Sequence, residues 1–207
     1  MQKLLPHKLF LLLFIIVLLA CNHDGKKSKS VVVPIAPITT VRIRIIPLGK
    51  QSSCFNQQTF SRIKQYVSNA VLERAEPMPK MAYYKPRDRY RADSIIHWLK
   101  GRAGNDEVII GVTAQDISTT KDSHEDWGVM GLGYWPGKAC VVSSHRVRNK
   151  SNFYKVILHE MGHNMGLDHC NVKMCFMRDA EGHDTTDEEK DFCEKCKGIL
   201  RSKGWKV

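Results

Sequence analysis

Three histidines and one glutamate in the C-terminal half of the chain have the spacing of a metal site with an open position. They occur in the stretch H-E-M-G-H-N-M-G-L-D-H, which begins at His159. His159 and His163 are four residues apart, so on a helix their imidazoles project from the same face. Gly166 can take a positive φ angle and turn the chain sharply, which would return His169 as a third ligand. Imidazole nitrogens suit Zn²⁺, and Glu160 lies beside them without having to be a ligand.

The pattern H-E-x-x-H-x-x-G-x-x-H indicates a zinc peptidase. Three protein ligands leave the fourth position to water, whose pKa zinc lowers towards about 7. Glu160 is then the expected general base, which takes a proton from the water and passes it to the leaving amine. The alternative is three surface histidines on an ordinary helix, but so long a pattern seldom arises by chance. Tyr134 and His145 are candidates, by position alone, for a second donor to the oxyanion.

The helix that carries this motif is expected to begin after Ser151, a residue type that often caps helices. Ile157 and Met161 would point away from His159 and bury against the rest of the domain. Gly162 is costly inside a helix. Its presence therefore indicates a close approach there, either by substrate or by another stretch of backbone.

Four cysteines follow the histidine motif at the spacing of a second, structural zinc site. Cys170 and Cys175 form a C-x₄-C pair, and Cys193 and Cys196 form a C-x-x-C pair. The two pairs are separated by 17 residues. Two disulfides are the alternative, which an exported chain would permit. Met177, eight residues after His169, is expected to support the histidine site from the core.

This C-terminal stretch resembles the archaemetzincin family of zinc metallopeptidases, a branch of the metzincins. The residues H-E-M-G-H-N-M-G-L-D-H-C-N-V-K-M-C-F-M and the later C-E-K-C match its pattern H-E-x-x-H-x-x-G-x₃-C-x₄-C-x-M with a distant C-x-x-C. The resemblance implies that the three histidines hold a catalytic zinc ion and the four cysteines a structural one. It also implies that Glu160 is the general base and that Met177 forms the methionine turn. Fifteen residues separate Met177 from Cys193, fewer than in the family pattern, which indicates a shorter loop.

A glycine-rich stretch upstream of the motif is implied to bind substrate. Weaker likeness to the family extends through G-V-T-A-Q-D-I, G-L-G-Y and A-C-V-V-S. By this resemblance, four residues form an edge strand above the cleft that pairs with extended substrate: Gly131, Leu132, Gly133 and Tyr134. β-Augmentation supplies the physical basis for such pairing. A flexible loop between two strands is the alternative, given the glycines.

Alternating strand and helix patterns predict an α/β (α+β) domain with a mixed sheet. The predicted elements are a strand, two helices, a buried strand and a hairpin-like pair, at residues 40–48, 57–75, 90–99, 108–112, and 127–135 with 138–143. The resemblance implies that this is the twisted metzincin sheet with its active-site helix. Residues 39–207 are assigned to one catalytic domain, whose small zinc-bearing C-terminal part begins at about residue 167.

The N-terminal residues predict export and lipid anchoring. Lys3 and Lys8 precede an apolar run of twelve residues, which is too short to span a bilayer and suits a signal peptide. The run ends at L-L-A-C, which resembles a bacterial lipobox with residues 1–20 as the signal and Cys21 as the acylated residue. An uncleaved anchor or an ordinary signal peptide is the alternative. Residues 21–38 are expected to be a flexible tether that holds the domain at the bacterial cell envelope.

Two cysteines are left without an assignment, Cys54 and Cys140. A disulfide between them and two free thiols both remain open, because sequence does not show proximity.

The expected partners are a peptide or protein substrate and, through the lipid anchor, a membrane. The net charge is +11 at pH 7. No nucleic-acid-binding pattern or basic–aromatic repeat accompanies that charge, so no nucleic-acid partner is expected. The protein is expected to be a monomer with two zinc ions. The alternative is a catalytically weak, zinc-bearing lipoprotein that binds peptides. Whether a peptidase would act as an endopeptidase or as an aminopeptidase stays open.

Overall fold

The computed structural model describes residues 41–50 and 53–207, with side chains described from residue 57 onward in the second range. The predicted signal peptide, Cys21 and the tether lie outside the described residues, and so does the side chain of Cys54. Within these ranges no helix is both long and apolar enough to cross a membrane.

Strands and helices alternate along the described chain. The strands are β1 (Arg42–Leu48), β2 (Val71–Leu72), β3 (Tyr83–Tyr84), β4 (Arg89–Arg91), β5 (Glu107–Thr113), β6 (Ile117–Lys121), β7 (His124–Val129), β8 (Gly131–Gly133) and β9 (Ala139–Ser143). The α-helices are α1 (Ser53–Tyr66), α2 (Ala92–Lys100), α3 (Phe153–Asn164) and α4 (Glu194–Ser202).

Five strands form a mixed sheet in the order β2-β1-β5-β9-β8. The first four are parallel, and β8 runs antiparallel to β9 at the edge of the sheet. The inner strands are runs of buried apolar residues, as expected of parallel strands that are covered on both faces. Alternate residues of β1 enter different cores, Ile43 and Ile45 on one face and Ile46 and Leu48 on the other.

Helices cover both faces of this sheet. One core contains residues of α1 and α3, and the other contains residues of α2. Ile157 and Met161 of α3 are fully buried in the first core, as predicted. The arrangement places α3 against β8 and β9, so the helix that bears the histidine motif lies beside the edge strand. The prediction of an α/β domain with a mixed sheet is confirmed.

A second sheet, in the order β3-β4-β6-β7, was not expected from the sequence. β6 and β7 are antiparallel neighbours, and Trp127 of β7 pairs with Thr119. The prediction of one strand over residues 127–135 is therefore wrong. The chain leaves the second sheet at Met130 and joins the first as β8, where the Met130 carbonyl accepts a hydrogen bond from the Ser143 N–H at 2.7 Å.

Two helices are shorter than their apolar spacing predicts. α1 ends at Tyr66, because the chain then turns and Asn69 Nδ2 donates to the carbonyl of Val41 at 2.7 Å. Val71–Leu72, predicted as the end of this helix, instead pairs with β1. α2 begins at Ala92, because Tyr90 is held in β4 by pairing with strands on both sides.

The start of α3 also differs from the prediction. Ser151 lies in a 3-10 turn, Lys150–Asn152, and its N–H donates to the side chain of Asn149 at 3.2 Å. α3 begins at Phe153 and has no side-chain cap of its own. The capping residue is therefore Asn149, which orders the turn that leads into the helix.

Candidate metal centres and active site

The three histidines of the motif converge. His159 and His163 lie one turn apart on α3, with their Nε2 atoms 3.1 Å apart. α3 ends at Asn164, and Gly166 takes a φ of +92°, which lets the chain reverse as predicted. The ring of His169 then lies 5.4 Å from that of His159 and 4.8 Å from that of His163, centroid to centroid. One possible ligand atom from each histidine lies within 4.8 Å of the other two.

Backbone carbonyls orient the two helical histidines. His159 Nδ1 lies 2.6 Å from the carbonyl oxygen of Phe176, and His163 Nδ1 lies 2.8 Å from that of Leu167. A carbonyl oxygen can only accept, so each ring donates from Nδ1. The Nε2 lone pairs of both rings are consequently free and point to their shared position, which is the arrangement that metal-binding histidines require.

The third histidine is oriented by a carboxylate. His169 Nδ1 lies 3.3 Å from Oδ2 of Asp179. Both side chains are half exposed, at 46% for His169 and 57% for Asp179. Sequence analysis did not find Asp179, since no motif marks a residue that acts through a ligand.

Burial keeps the helical histidines neutral. It lowers the pKa of His159 to about 3, and it also lowers the pKa of His163. Both rings are therefore uncharged at pH 7, and the neutral ring is the form that binds metal. The spacing fits as well, because ligands at about 2.0–2.1 Å around one tetrahedral zinc ion lie about 3.3 Å from each other.

The four cysteines form a second cluster. Sγ of Cys193 lies 3.6 Å from the Sγ atoms of both Cys170 and Cys196, and Sγ of Cys175 lies 3.8 Å from Sγ of Cys196. These distances are too long for a disulfide, whose sulfurs are about 2.05 Å apart. Four thiolates at about 2.3 Å from a tetrahedral zinc ion would be about 3.8 Å from each other. The geometry therefore favours a metal site over the alternative of two disulfides.

The segment from residue 170 to residue 177 joins the two clusters. The Cys170 N–H donates to the carbonyl of Met177 at 2.7 Å, and the Met177 N–H donates to Sγ of Cys175 at 3.5 Å. The intervening Phe176 supplies the carbonyl that orients His159. Order in the cysteine cluster is thus transmitted directly to a candidate ligand of the histidine cluster.

Met177 packs beneath the histidine helix. It is fully buried, and its Sδ lies against Gly162 where a Cβ atom would have to be. The close approach predicted at Gly162 is confirmed, but the partner is a side chain, so the expectation of substrate or backbone there is wrong.

Glu160 is buried beside the histidines, with 7% of the residue exposed. Its burial raises the pKa to about 8. The carboxyl lies against β8, since a Cβ built on Gly131 would be 2.6 Å from Cγ and Oε1 of Glu160. At Gly133 a Cβ would be 3.2 Å from Oε2. The two glycines of β8 therefore make room for Glu160.

A cleft of about 570 Å³ runs over this site. Its lining comes mainly from residues 127–133, from α3, and from residues 178–186 with Glu189. Gly131, Leu132 and Gly133 lie in the edge strand and line the cleft, so the alternative of a flexible loop is wrong for these three residues.

The two candidate donors to the oxyanion do not line the cleft. Tyr134 lies beyond the end of β8 and, like His145, is not part of the cleft lining.

Cys140 is fully buried in β9 as a free thiol, and its burial raises the pKa of the thiol well above the usual value.

The structure adds cleft residues that sequence analysis missed. Val156, one turn before Glu160 on α3, lines the cleft together with the buried Thr185, Thr186 and Glu189. Their place depends on how the loop after Met177 folds back onto α3, and no sequence pattern specifies that contact.

Comparison with known proteins identifies the family. The model of peptidase family M54 matches residues 57–202. Archaemetzincin of Natronomonas pharaonis is 28% identical over 173 residues, 75% of this chain and 97% of that protein. Archaemetzincin of Nanoarchaeum equitans is 33% identical over 131 residues, 63% of this chain and 73% of that protein.

Solved structures share the fold. The crystal structure of archaemetzincin from Methanopyrus kandleri superposes with a TM-score of 0.67 at 22% identity and covers 82% of this chain and 98% of its own. That of archaemetzincin from Archaeoglobus fulgidus, complexed with malonate, has a TM-score of 0.62 at 25% identity and covers 76% and 99%.

The fold and the family match define a zinc metallopeptidase. More specifically, the chain belongs to peptidase family M54, the archaemetzincins.

Proposed function

We propose that the chain hydrolyses peptide bonds at the convergence of His159, His163 and His169, with Glu160 as the general base. The observation that carries this proposal is the shared direction of the ring nitrogens. His159 and His163 are fixed at Nδ1 by carbonyls and present their Nε2 atoms 3.1 Å apart. Zinc bound there would polarise the scissile carbonyl and lower the pKa of the attacking water.

Glu160 performs the proton transfers in this proposal. It is the residue after His159 on α3, and its carboxyl is buried between that helix and β8. A buried carboxylate with few rotamers available stays aligned with the attacking water. It accepts the proton of that water and returns it to the amine of the departing product.

β8 positions the substrate backbone. It hydrogen-bonds β9 on one side and, among the described strands, has no partner on the other. An extended peptide can add to that free edge as a further strand, since Gly131, Leu132 and Gly133 face the cleft. The peptide would then cross the cleft directly over Glu160.

The cysteine cluster is proposed to hold a second, structural zinc ion through Cys170, Cys175, Cys193 and Cys196. Support comes from sulfur separations of 3.6 to 3.8 Å. Thiolates at this spacing, together with Met177 beneath α3, fix the segment that orients His159.

Cleavage of a peptide library by zinc-loaded protein, read by mass spectrometry, tests the activity. Glu160→Ala should retain zinc and lose cleavage, whereas Glu125→Ala, exposed on β7, should keep both. Unchanged cleavage by the Glu160 variant would reject the assigned base. Binding of peptides without cleavage by the wild-type protein would favour the alternative of a peptide-binding lipoprotein.

We also propose that Cys21 carries a lipid and holds the domain at the bacterial cell envelope. The support is the sequence L-L-A-C after an apolar run. Cys21→Ala should move the expressed protein from the detergent phase to the aqueous phase in a Triton X-114 partition. An unchanged partition would reject lipidation at this residue.

A further inference from the structure

The cleft lining includes four buried residues that are referred to below as the Glu189 pocket: Val156, Thr185, Thr186 and Glu189. All four residues are buried, with 3–7% of each exposed. Val156 precedes Glu160 by four residues on α3, which places the pocket about 6 Å along the helix from the proposed general base. The side chain of a substrate residue next to the cleaved bond spans that distance.

The carboxyl group of Glu189 has one unused oxygen. Oε1 accepts a hydrogen bond from Thr185 Oγ1 at 2.6 Å. Oε2 accepts no hydrogen bond from any residue that the structure describes, although Glu189 is 94% buried and lines the cleft. Oε2 is not fully buried, so a ligand in the cleft can reach it. Because most of Glu189 is shielded from water, a ligand that supplies a donor to Oε2 would be stabilised there.

The nearest buried cation does not fill this role. Lys155 Nζ donates to the backbone carbonyls of Thr186 and Glu189, at 2.6 and 2.7 Å. It forms no ion pair with the Glu189 carboxylate, although burial, which raises the pKa of Glu189, is partly opposed by the charge of Lys155. These bonds fix the turn that carries Glu189 against α3 and leave its carboxylate facing the cleft.

A second carboxylate lies beside the pocket, since Thr186 Oγ1 donates to Asp184 Oδ1 at 2.7 Å. Asp184 lines the cleft, and hydrogen bonds from the Arg148 N–H and the Thr186 N–H hold it in place. Its charge is already balanced by the Arg148 guanidinium, whose Nε lies 3.8 Å from Asp184 Oδ2. Glu189 forms no ion pair with the residues that the structure describes, so its carboxylate is the group that a cationic ligand would meet here.

We propose that Glu189 binds a cationic nitrogen of the substrate, so that the peptidase selects a lysine or arginine side chain beside the cleaved bond, or a free amino terminus. The inference rests on the peptidase function proposed above and assigns a substrate class to it. The two cation sources share one chemistry, an N–H donor with positive charge, and they correspond to endopeptidase and aminopeptidase action.

Matched peptides test the proposal. The set holds one sequence with lysine, arginine or norleucine at each position flanking the cleaved bond, in acetylated and free amino-terminal forms. Wild-type protein, Glu189→Gln and the control Glu125→Gln are compared for kcat and KM. Glutamine keeps an oxygen that can accept from Thr185, so the variant should fold, which equal thermal unfolding would verify.

We expect wild-type protein to favour the cationic member of a pair by about tenfold or more in kcat/KM, the usual worth of a hydrogen bond to a charged group. Glu189→Gln should remove that preference, mainly through KM, while Glu125→Gln keeps it. Preference among acetylated peptides would identify the side chain, and preference limited to free amino termini would identify the terminus.

Two outcomes would overturn the inference: no preference for either cation by the wild-type protein, or a preference that Glu189→Gln retains. If no peptide is cleaved, the proposed function fails instead. In that case, the affinities of the same lysine and norleucine peptides, measured by fluorescence anisotropy, test separately whether the Glu189 pocket prefers a cation. Equal affinity for lysine and norleucine peptides would reject it.

Discussion

Nδ1 of His169 lies 3.3 Å from Oδ2 of Asp179, a contact that couples the third histidine of the motif to the segment after Met177. His159 and His163 are held rigidly by α3 and by backbone carbonyls. His169 has no helix to hold it and is half exposed. Asp179 is the group that can keep its ring in the orientation that a metal needs.

Asp179→Asn should therefore weaken zinc binding at the histidine cluster by about 10- to 100-fold, the usual effect of removing the partner of a metal-binding histidine. Competition with a fluorescent chelator measures the affinity. Asp168→Asn is the matched control, because Asp168 is exposed, adjoins His169 and makes no hydrogen bond within the described chain. Equal zinc affinity in wild-type protein and Asp179→Asn would show that Asp179 does not position His169.

Gly162→Ala should destabilise the protein, because the new Cβ would occupy the position of Met177 Sδ. Overpacking of this kind costs about 1–3 kcal/mol, which exceeds the gain of about 1 kcal/mol that alanine brings to a helix. The free energy of unfolding from urea denaturation measures the difference. Gly198→Ala in α4 is the control, since nothing lies within 4 Å of its Cβ and the substitution should stabilise. A stable Gly162→Ala variant would contradict the packing of Met177 against α3.

Gly131→Ala should reduce the rate of cleavage without loss of zinc. Its Cβ would come within 2.6 Å of Cγ and Oε1 of Glu160, so the carboxyl must move. A displacement of about 1 Å costs about a hundredfold in rate. The prediction is a lower kcat with unchanged metal content. Wild-type kcat in this variant would show that the position of Glu160 does not limit the reaction.

Cys175→Ser should remove one zinc ion per chain and destabilise the fold, because a structural zinc contributes directly to folding. Cys140→Ala is the control for zinc content, since Cys140 is a buried free thiol and is not one of the four clustered cysteines. Metal analysis and thermal unfolding report the two effects. Equal zinc content in both variants would exclude a zinc site at the four cysteines.

The parts of the site that follow from local geometry were predictable. Two histidines four apart on a helix must share a face, and Gly166 was expected to turn the chain. Met177 was expected beneath the site. The structure confirms the turn and the burial of Met177, because these features depend on neighbours close in sequence.

The parts that depend on distant contacts were not predictable. Asp179 reaches His169, and Glu189 reaches the cleft, only after the loop beyond Met177 folds back on α3. In the same way, the apolar residues Val67 and Val71 continue the helical spacing of α1, yet the helix ends at Tyr66 and Val71 pairs with β1. The spacing of apolar residues indicates that they are buried, but it does not indicate which element they pack against.

Anomalous diffraction at the zinc edge, from crystals of the active protein, tests the central claim most directly. The account predicts one peak about 2.1 Å from Nε2 of His159, His163 and His169, with Glu160 beside it and not bound. It predicts a second peak about 2.3 Å from the four cysteine sulfurs. Active crystals with no peak at the histidines would contradict the account.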